Sequence, residues 1–315
     1  VGTYLGEALR ATGAAVAYAP RRAPDVVPVE ADLAIVAVKA YDTPDAIDAL
    51  RAALGPNSAA TILSPQNGVG NEELLAAAFG ADRIVSGALT VPLERLAGGE
   101  VVASNRGGIA LAPVGEVAHN WLVAAFERTA IPVRVSDDYR ALKWSKLALN
   151  IVANAACAIL DVTPERLVEF DDMFELEVRG VRETRDVMAK LGLAPVDLPR
   201  YPVRALFALV GLPARLARLV LAKRIASARG PKAPSLLLDL RATRGRSEVE
   251  VLNGAVAAAG RATGVATPVN EAYARVLAEI AGSPDVWQRY RERPAALLAE
   301  VKAREAASFV AALPR

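Results

Sequence analysis

Three polar side chains interrupt an apolar stretch near the middle of the chain. Residues 143–160, KWSKLALNIVANAACAIL, contain no glycine, proline or acidic residue, which predicts one unbroken helix. At about 100° per residue, Lys146, Asn150 and Asn154 lie within roughly 80° of one face of that helix. A lysine can give a proton to a reacting oxygen, and two amides can orient a polar substrate. This stripe is the first candidate for chemistry.

The same stripe has a structural alternative. Lys146 would then run its methylenes along a partly solvated seam and carry its ammonium into water. Under the functional interpretation, the stripe lines a cleft between two domains, where buried amide and ammonium groups need polar partners. The preceding Lys143 and Trp144 are expected to be surface and interface residues.

A second polar group of residues lies closer to the C terminus. Ser247 and Glu250 have the S-x-x-E spacing of a capping box, which is a structural role. Glu248 lies in the same first turn without a capping duty, so it is a candidate site residue. Ser235 is a further candidate, although it could simply cap a helix that begins at residue 236.

Composition limits both the class of protein and its chemistry. With 53% hydrophobic residues the chain can bury a sizeable core, and its length of 315 residues predicts two domains. The net charge of +2 gives no reason to expect nucleic acid. A single cysteine, Cys157, cannot form an internal disulfide and favours a reducing, cytoplasmic setting. The only histidine, His119, is expected at the surface. The sequence therefore offers almost no histidine from which to build a Ser-His-Asp triad or a histidine-rich metal site.

The sequence shows no membrane span and no signal peptide, and we expect no membrane partner. The chain begins at Val1 rather than at methionine, so we expect its natural start to be missing. The oligomeric state, monomer or homodimer, is left open.

Strand and helix patterns divide the chain into an α/β part, residues 1–137, and an all-helical part, residues 138–315. Short runs rich in valine, isoleucine and alanine predict strands, and those without polar alternation predict a parallel core buried on both faces. The predicted strands are 14–20, 33–39, 59–65, 83–91, 107–113 and 131–137. The predicted helices are 2–12, 44–54, 71–80, 117–128, 138–160, 163–191, 202–227, 234–244, 247–263, 268–281 and 295–312.

Several residues of the α/β part suit a dinucleotide, each with a structural alternative. Gly2 could remain from a Gly-x-Gly-x-x-Gly fingerprint or could be an ordinary glycine at a helix start. Arg21 and Arg22 could meet a 2′-phosphate or form a basic surface turn. Lys39 could bind a cofactor or end a strand in solvent. Asn67 could also bind a cofactor, or it could form a tight turn with Gly68. All of these positions are expected at one edge of the predicted sheet.

In these residues the sequence resembles the ketopantoate reductase family. The segments that carry the likeness, in order, are VGTYLGEALRATGAAV, VAVKAYDT, PQNGVGN, KWSKLALNIVAN, PSLLLDL, GRSEVEVLNGAV and GVATPVN. The resemblance implies a Rossmann domain, a helical domain and NADPH-dependent reduction of 2-dehydropantoate to pantoate, as in pantothenate and coenzyme A biosynthesis. A different 2-oxo acid, or a protein that binds NADP without catalysis, is the alternative.

The resemblance also assigns roles to residues of this chain. Lys146 matches a catalytic lysine and Glu248 an active-site glutamate. Arg21 matches a 2′-phosphate contact. The remaining matches are substrate contacts at Asn150, Asn154 and Ser235, and residues lining the cofactor site at Lys39 and Asn67.

The chain departs from the family pattern at three places. The first strand and two fingerprint glycines are absent, and the link between residues 22 and 33 is short. The segment 201–232 is longer than usual, basic and rich in leucine. It predicts a pair of helices packed on the domain; a helix lying on anionic lipid and a lid over the substrate are the alternatives.

Overall fold

The computed structural model describes residues 1–19, 30–96, 98–103, 107–227, 233–242 and 245–311. The chain forms two compact units. The first contains Val1–Lys146 and Val196–Pro202, and the second contains Leu147–Pro195 and Val203–Arg315. The first unit thus extends past residue 137, where the sequence places the domain boundary.

The first unit is built around a mixed five-stranded sheet. Its spatial order is β1-β2-β3-β6-β7, with β3 and β6 antiparallel and the other neighbours parallel. A separate antiparallel hairpin is formed by β4 and β5. The strands are β1 Leu33–Ile35, β2 Thr61–Ser64, β3 Ile84–Leu89, β4 Leu93–Arg95, β5 Val101–Ala103, β6 Ile109–Pro113 and β7 Val133–Val135.

Helices cover both faces of this sheet, as the apolar strands predict. In β2, Leu63 joins a cluster with Leu5 and Phe126, while the adjacent Ile62 joins a cluster on the other face with Leu75. Successive strand residues point to opposite faces, so a strand covered on both sides is apolar throughout. These helices are α1 Gly2–Arg10, α2 Thr43–Leu54, α3 Asn71–Phe79 and α4 Asn120–Glu127, with short 3₁₀ helices at Ala40–Asp42 and Ala81–Arg83. Helix α5, Tyr139–Ile151, begins in the first unit and contains the boundary after Lys146.

The strand predicted at 14–20 is wrong for residues 14–19, and residue 20 lies outside the described residues. The carbonyl of Val16 accepts a hydrogen bond from the Arg10 side chain at 2.9 Å. A strand needs a neighbouring strand for its backbone groups, and here a side chain serves Val16 instead. The hairpin of β4 and β5 was not predicted, because its three-residue strands do not lie within a longer apolar run, as β1 does in residues 33–39.

The second unit contains helices and connecting loops throughout its described part. Helix α13 packs against α6, α8, α12 and α14, so it lies at the centre of this unit. The helices are α6 Ala155–Leu160, α7 Pro164–Leu167, α8 Asp171–Lys190, α9 Val203–Val210, α10 Ala214–Ser227, α11 Ser235–Arg241, α12 Asn253–Thr263, α13 Pro268–Gly282 and α14 Pro294–Ala311, with 3₁₀ helices at Glu248–Val251 and Pro284–Arg289.

The prediction of one unbroken helix over 138–160 is wrong. Helix α5 ends at Ile151, α6 begins at Ala155, and Ala153 between them has φ of +48°. The amide of Ala153 donates to the Glu177 carboxylate at 2.5 Å. In an unbroken helix this N–H would donate to a backbone carbonyl of the same helix, whereas here it donates to a side chain of α8.

Within the described residues, no helix combines the length and the apolar character that crossing a bilayer requires.

Candidate active site

A chain of side-chain hydrogen bonds joins the segments that follow β1 and β2. The amide of Gln66 donates to the Val38 carbonyl at 3.1 Å and to the Thr43 hydroxyl at 2.8 Å. The Thr43 hydroxyl donates to Asn71 at 2.9 Å, and the Asn71 amide donates to the Asn67 carbonyl at 3.1 Å. The turn that carries Asn67 is thus joined by hydrogen bonds to the segment that carries Lys39. These two segments follow the carboxyl ends of the parallel strands β2 and β1.

Lys143 anchors the same turn from α5. Its ammonium lies 3.0 Å from the Glu72 carboxylate and also donates to the Gln66 carbonyl. The Ser86 hydroxyl donates to the same Glu72 oxygen at 3.1 Å. Lys143 and Trp144 were expected to be surface and interface residues; the surface position is wrong, since both side chains are buried. The lysine is stable there because Glu72 neutralises its charge and the Gln66 carbonyl satisfies a second donor.

Gly2 stands where the chain passes close to the segment after β1. It opens α1, and a Cβ at this position would lie 3.1 Å from the Cβ of Ala37. Among the described residues, α1 has no side-chain cap at its N terminus. Such a terminus presents backbone N–H groups to an anion. Lys39 follows in the same region, half-buried. Arg21 and Arg22 lie outside the described residues.

In the second unit, the Asn154 amide is fully engaged with the protein. Its nitrogen donates to the Asn150 carbonyl at 3.0 Å and to the Ser235 hydroxyl at 3.3 Å. Its oxygen accepts from the Leu236 amide at 3.2 Å. Asn154 therefore caps α11 from a distance and fixes Ser235 at its first residue. The alternative in which Ser235 is itself the cap is wrong, because α11 already begins at Ser235.

Glu248 is a buried carboxylate at the start of a 3₁₀ helix. The preceding Ser247 caps that helix, and its hydroxyl accepts from the Val249 amide at 3.2 Å. The capping role predicted for Ser247 is confirmed, on a 3₁₀ helix that ends at Val251 instead of a helix that reaches residue 263. Glu250, the other half of the predicted capping box, is exposed. The cap fixes the turn from which the Glu248 side chain departs.

Lys146 and Asn150 lie one turn apart on α5, and both side chains are half-buried. The first unit holds Gly2, Lys39 and Asn67, with Lys146 at the end of its main segment. The second unit holds Asn150, Asn154, Ser235 and Glu248. Within it, the Asn154 side chain donates to the backbone carbonyl of Asn150 and to the hydroxyl of Ser235.

Sequence reasoning missed Glu177, which secures the break between α5 and α6. Burial raises its pKa to about 7, although the hydrogen bond from Ala153 opposes the shift. The Tyr273 hydroxyl lies beside it and interacts with it electrostatically. Among the described residues, neither that hydroxyl nor Oε1 of Glu177 has a partner in hydrogen-bonding geometry. The helical period was the available signal, since Glu177 falls four residues after Met173 and three before Gly180 on the buried face of α8.

Glu183, one and a half turns further along α8, is a second missed carboxylate. It accepts from the backbone amides of Val269 at 2.9 Å and Asn270 at 3.0 Å, and from the Asn270 side chain at 2.7 Å. These are amides of the first turn of α13, so Glu183 caps that helix. Burial raises its pKa to about 7 against the effect of these donors.

Comparisons with known proteins agree with this architecture. The family model described as ketopantoate reductase PanE/ApbA matches residues 6–116, and its C-terminal counterpart matches residues 138–281. A 2-dehydropantoate 2-reductase from Pyrobaculum aerophilum is 30% identical over 242 residues, covering 76% of this chain and 73% of that protein.

Solved structures show the same fold. The PanE/ApbA family ketopantoate reductase from Ralstonia eutropha JMP134 has a TM-score of 0.66 at 28% identity, covering 82% of this chain and 77% of that one. A D-mandelate dehydrogenase solved with NADH and anilino(oxo)acetate has a TM-score of 0.68 at 20% identity, covering 82% and 79%. The Rossmann-like sheet followed by a helical unit, with these matches, defines an oxidoreductase. The chain belongs to the ketopantoate reductase family.

Proposed function

We propose that this protein uses NADPH to reduce a small 2-oxo acid, with 2-dehydropantoate as the substrate and pantoate as the product. The reaction would serve pantothenate and coenzyme A biosynthesis in the cytoplasm. The observation that carries the proposal is the pair of hydrogen bonds by which Asn154, at the helix break, joins the backbone carbonyl of Asn150 on α5 to the Ser235 hydroxyl. A protein that only binds a nucleotide has no need of this second polar group.

The residues of the first unit suit a dinucleotide. A Cβ at Gly2 would lie 3.1 Å from the Cβ of Ala37, a tight contact that favours glycine, as where the helix of a dinucleotide fold packs closely on its strand. Lys39 and Asn67 would line the same site from the ends of β1 and β2. Arg21 would contact the 2′-phosphate. When bound, NADPH supplies the hydride that the reaction needs.

Lys146 would act as the proton donor. A lysine is an ammonium at neutral pH, so it can hydrogen-bond the keto oxygen and deliver a proton as the keto carbon becomes a 2-hydroxy carbon. The lysine then recovers its proton from water. Glu248 would hold the substrate hydroxyl or balance the charge of the ammonium.

Substrate orientation would fall to Asn150 and Ser235. The side chain of Asn154 is 1% exposed and its amide is occupied, so we assign it a positioning role through Ser235 instead of the direct contact implied by the resemblance.

The test is oxidation of NADPH, followed by absorbance, with a panel of 2-oxo acids. Lys146→Ala should lower kcat by about 10²–10⁴-fold and leave NADPH affinity nearly unchanged. Lys190→Ala, at an exposed position on α8, is the control. Turnover of another 2-oxo acid in preference to 2-dehydropantoate would correct the substrate. Tight NADPH binding without turnover of any panel member would favour the non-catalytic alternative.

The cofactor preference has its own test. Arg21→Ala should weaken NADPH binding and leave NADH binding nearly unchanged. Equal weakening of both would show that Arg21 does not contact the 2′-phosphate.

A further inference from the structure

The segment around α10 is unusual in its charge. Between Asp197 and Asp239 the sequence contains no acidic residue but eight lysines and arginines. A run of this kind has a positive field at any surface that it exposes, so its natural partner is anionic.

Helix α10 is fixed to the second unit by one face. Its buried side chains are Ala217, Leu221 and Ile225, spaced four residues apart, and it packs against α7, α8 and α9. Arg218 donates to the Val168 carbonyl at 2.6 Å and lies 2.8 Å from Asp171. The helices that anchor α10 carry none of the predicted site residues, so these contacts give no support to a lid over the substrate.

The opposite face of α10 presents large apolar side chains to solvent. Leu219 is 81% exposed, and Leu216 and Val220 are also exposed, as is Leu212 just before the helix. Isolated apolar residues on a surface are ordinary, but four within nine residues form a patch that points to a partner.

The cations of α10 flank this patch. At about 100° per residue, Leu216, Leu219 and Val220 lie between Arg215 and Arg224, which are roughly 180° apart. Lys223 projects from the middle, where a long stem can carry its ammonium past apolar neighbours. We call the exposed side chains of residues 212, 215, 216, 219, 220, 223 and 224 the α10 face.

We propose that the α10 face docks on an anionic membrane surface, with the leucines in the boundary between headgroups and acyl chains and the cations against the lipid phosphates. Leucines at the crest of a helix with cations at both edges are the arrangement that suits a helix lying in this interface. A second copy of the chain fits less well, because a two-fold contact through this face would oppose like charges. The inference does not depend on the proposed function.

The experiment is co-sedimentation of the whole protein with vesicles of phosphatidylcholine alone or mixed with phosphatidylglycerol. The protein should pellet with the mixed vesicles only, and less at high salt because screening weakens the contact between cations and lipid. The double variant Leu216→Ser, Leu219→Ser should bind about tenfold more weakly or worse. Leu74→Ser, with the same 46% exposure as Leu216 but in the first unit, should bind like the original protein.

Any of the following results would overturn the proposed membrane contact. Failure to pellet with mixed vesicles, equal pelleting with phosphatidylcholine alone, or full binding by the double serine variant excludes the membrane contact. A dimer in sedimentation velocity that the double variant abolishes, without vesicle binding, assigns the α10 face to self-association. Oxidation of NADPH should be the same for all three proteins.

Discussion

Glu72 and Glu177 are both buried carboxylates, one in each unit, but their surroundings differ. Glu72 meets an ammonium from Lys143 and a hydroxyl from Ser86. Within the described part of the chain, Glu177 accepts from one backbone amide, and the hydroxyl of Tyr273 beside it has no partner in hydrogen-bonding geometry. A charge removed from water needs either an opposite charge or a proton. Glu72 has a cation beside it, whereas burial raises the pKa of Glu177 until a proton serves that purpose near neutral pH.

The largest effect is expected from removing the cation. Lys143→Met keeps the aliphatic stem but leaves Glu72 buried without its partner, which should lower the free energy of unfolding by about 3–5 kcal/mol. Urea denaturation at neutral pH measures this. Combining it with Glu72→Gln should restore part of the loss, because the uncompensated charge is gone. A single variant as stable as the original would mean that the pair contributes no charge compensation.

A change in pH should reveal the second carboxylate. The folded pKa of Glu177, about 7, exceeds its ordinary value of 4.5, so the folded state binds this proton more tightly than the unfolded chain. Its contribution is complete below about 4.5 and is lost as the pH rises through about 7, on the order of 3 kcal/mol. Glu183 should behave similarly. Urea denaturation across this range should show a falling stability.

Glu177→Gln should reduce that slope, since a neutral amide at residue 177 has no proton to lose. Glu175→Gln, an exposed position on the same helix, is the matched control and should keep the original slope. Identical slopes in both variants would remove Glu177 as a source of the pH dependence.

A smaller effect is expected from Ser86→Ala. The hydroxyl donates to a charged oxygen, and such a hydrogen bond contributes about 1.5–3 kcal/mol. The loss should be less than that of Lys143→Met in the same denaturation assay, because the ammonium still faces Glu72. A larger loss would make the hydroxyl the main partner of the carboxylate.

The smallest effect is expected from Tyr273→Phe. Among the described residues the buried hydroxyl has no partner in hydrogen-bonding geometry, so removing it should change the free energy of unfolding by less than about 0.5 kcal/mol. Denaturation at pH 5 and pH 8 measures the change. A loss above 1 kcal/mol at either pH would show that the hydroxyl donates to Glu177. The surroundings of Glu177 would then differ less from those of Glu72, which also accepts from a hydroxyl.

Apolar periodicity predicted most of the fold. Helix α13, expected at 268–281, spans Pro268–Gly282, and the strand expected at 59–65 is centred on β2. These elements bury apolar side chains at the spacing of their own geometry, so local sequence determines them. The α/β sheet followed by helices follows from the same patterns.

Two of the failed predictions depend on groups distant in sequence. The break after α5 requires Glu177 from α8, and the burial of Lys143 requires Glu72 from α3. No local sequence pattern around residue 143 or 153 indicates that Glu72 or Glu177 will be its partner. The candidate site shows the same limit. The stripe drew attention to Asn154, but only the structure shows that its amide caps α11.

Residues 196–202 return to the first unit after the chain has entered the second. The Thr90 hydroxyl donates to the Pro199 carbonyl at 3.1 Å, Arg134 donates to the Asp197 carbonyl at 2.9 Å, and the Val196 amide donates to the Ser145 hydroxyl at 2.8 Å. Because the ribosome makes the chain from its N terminus, residues 147–195 are synthesised before these partners exist. Synthesis of the first unit therefore starts before that of the second. However, the first unit can form these three hydrogen bonds only after the ribosome has made the first helices of the second unit.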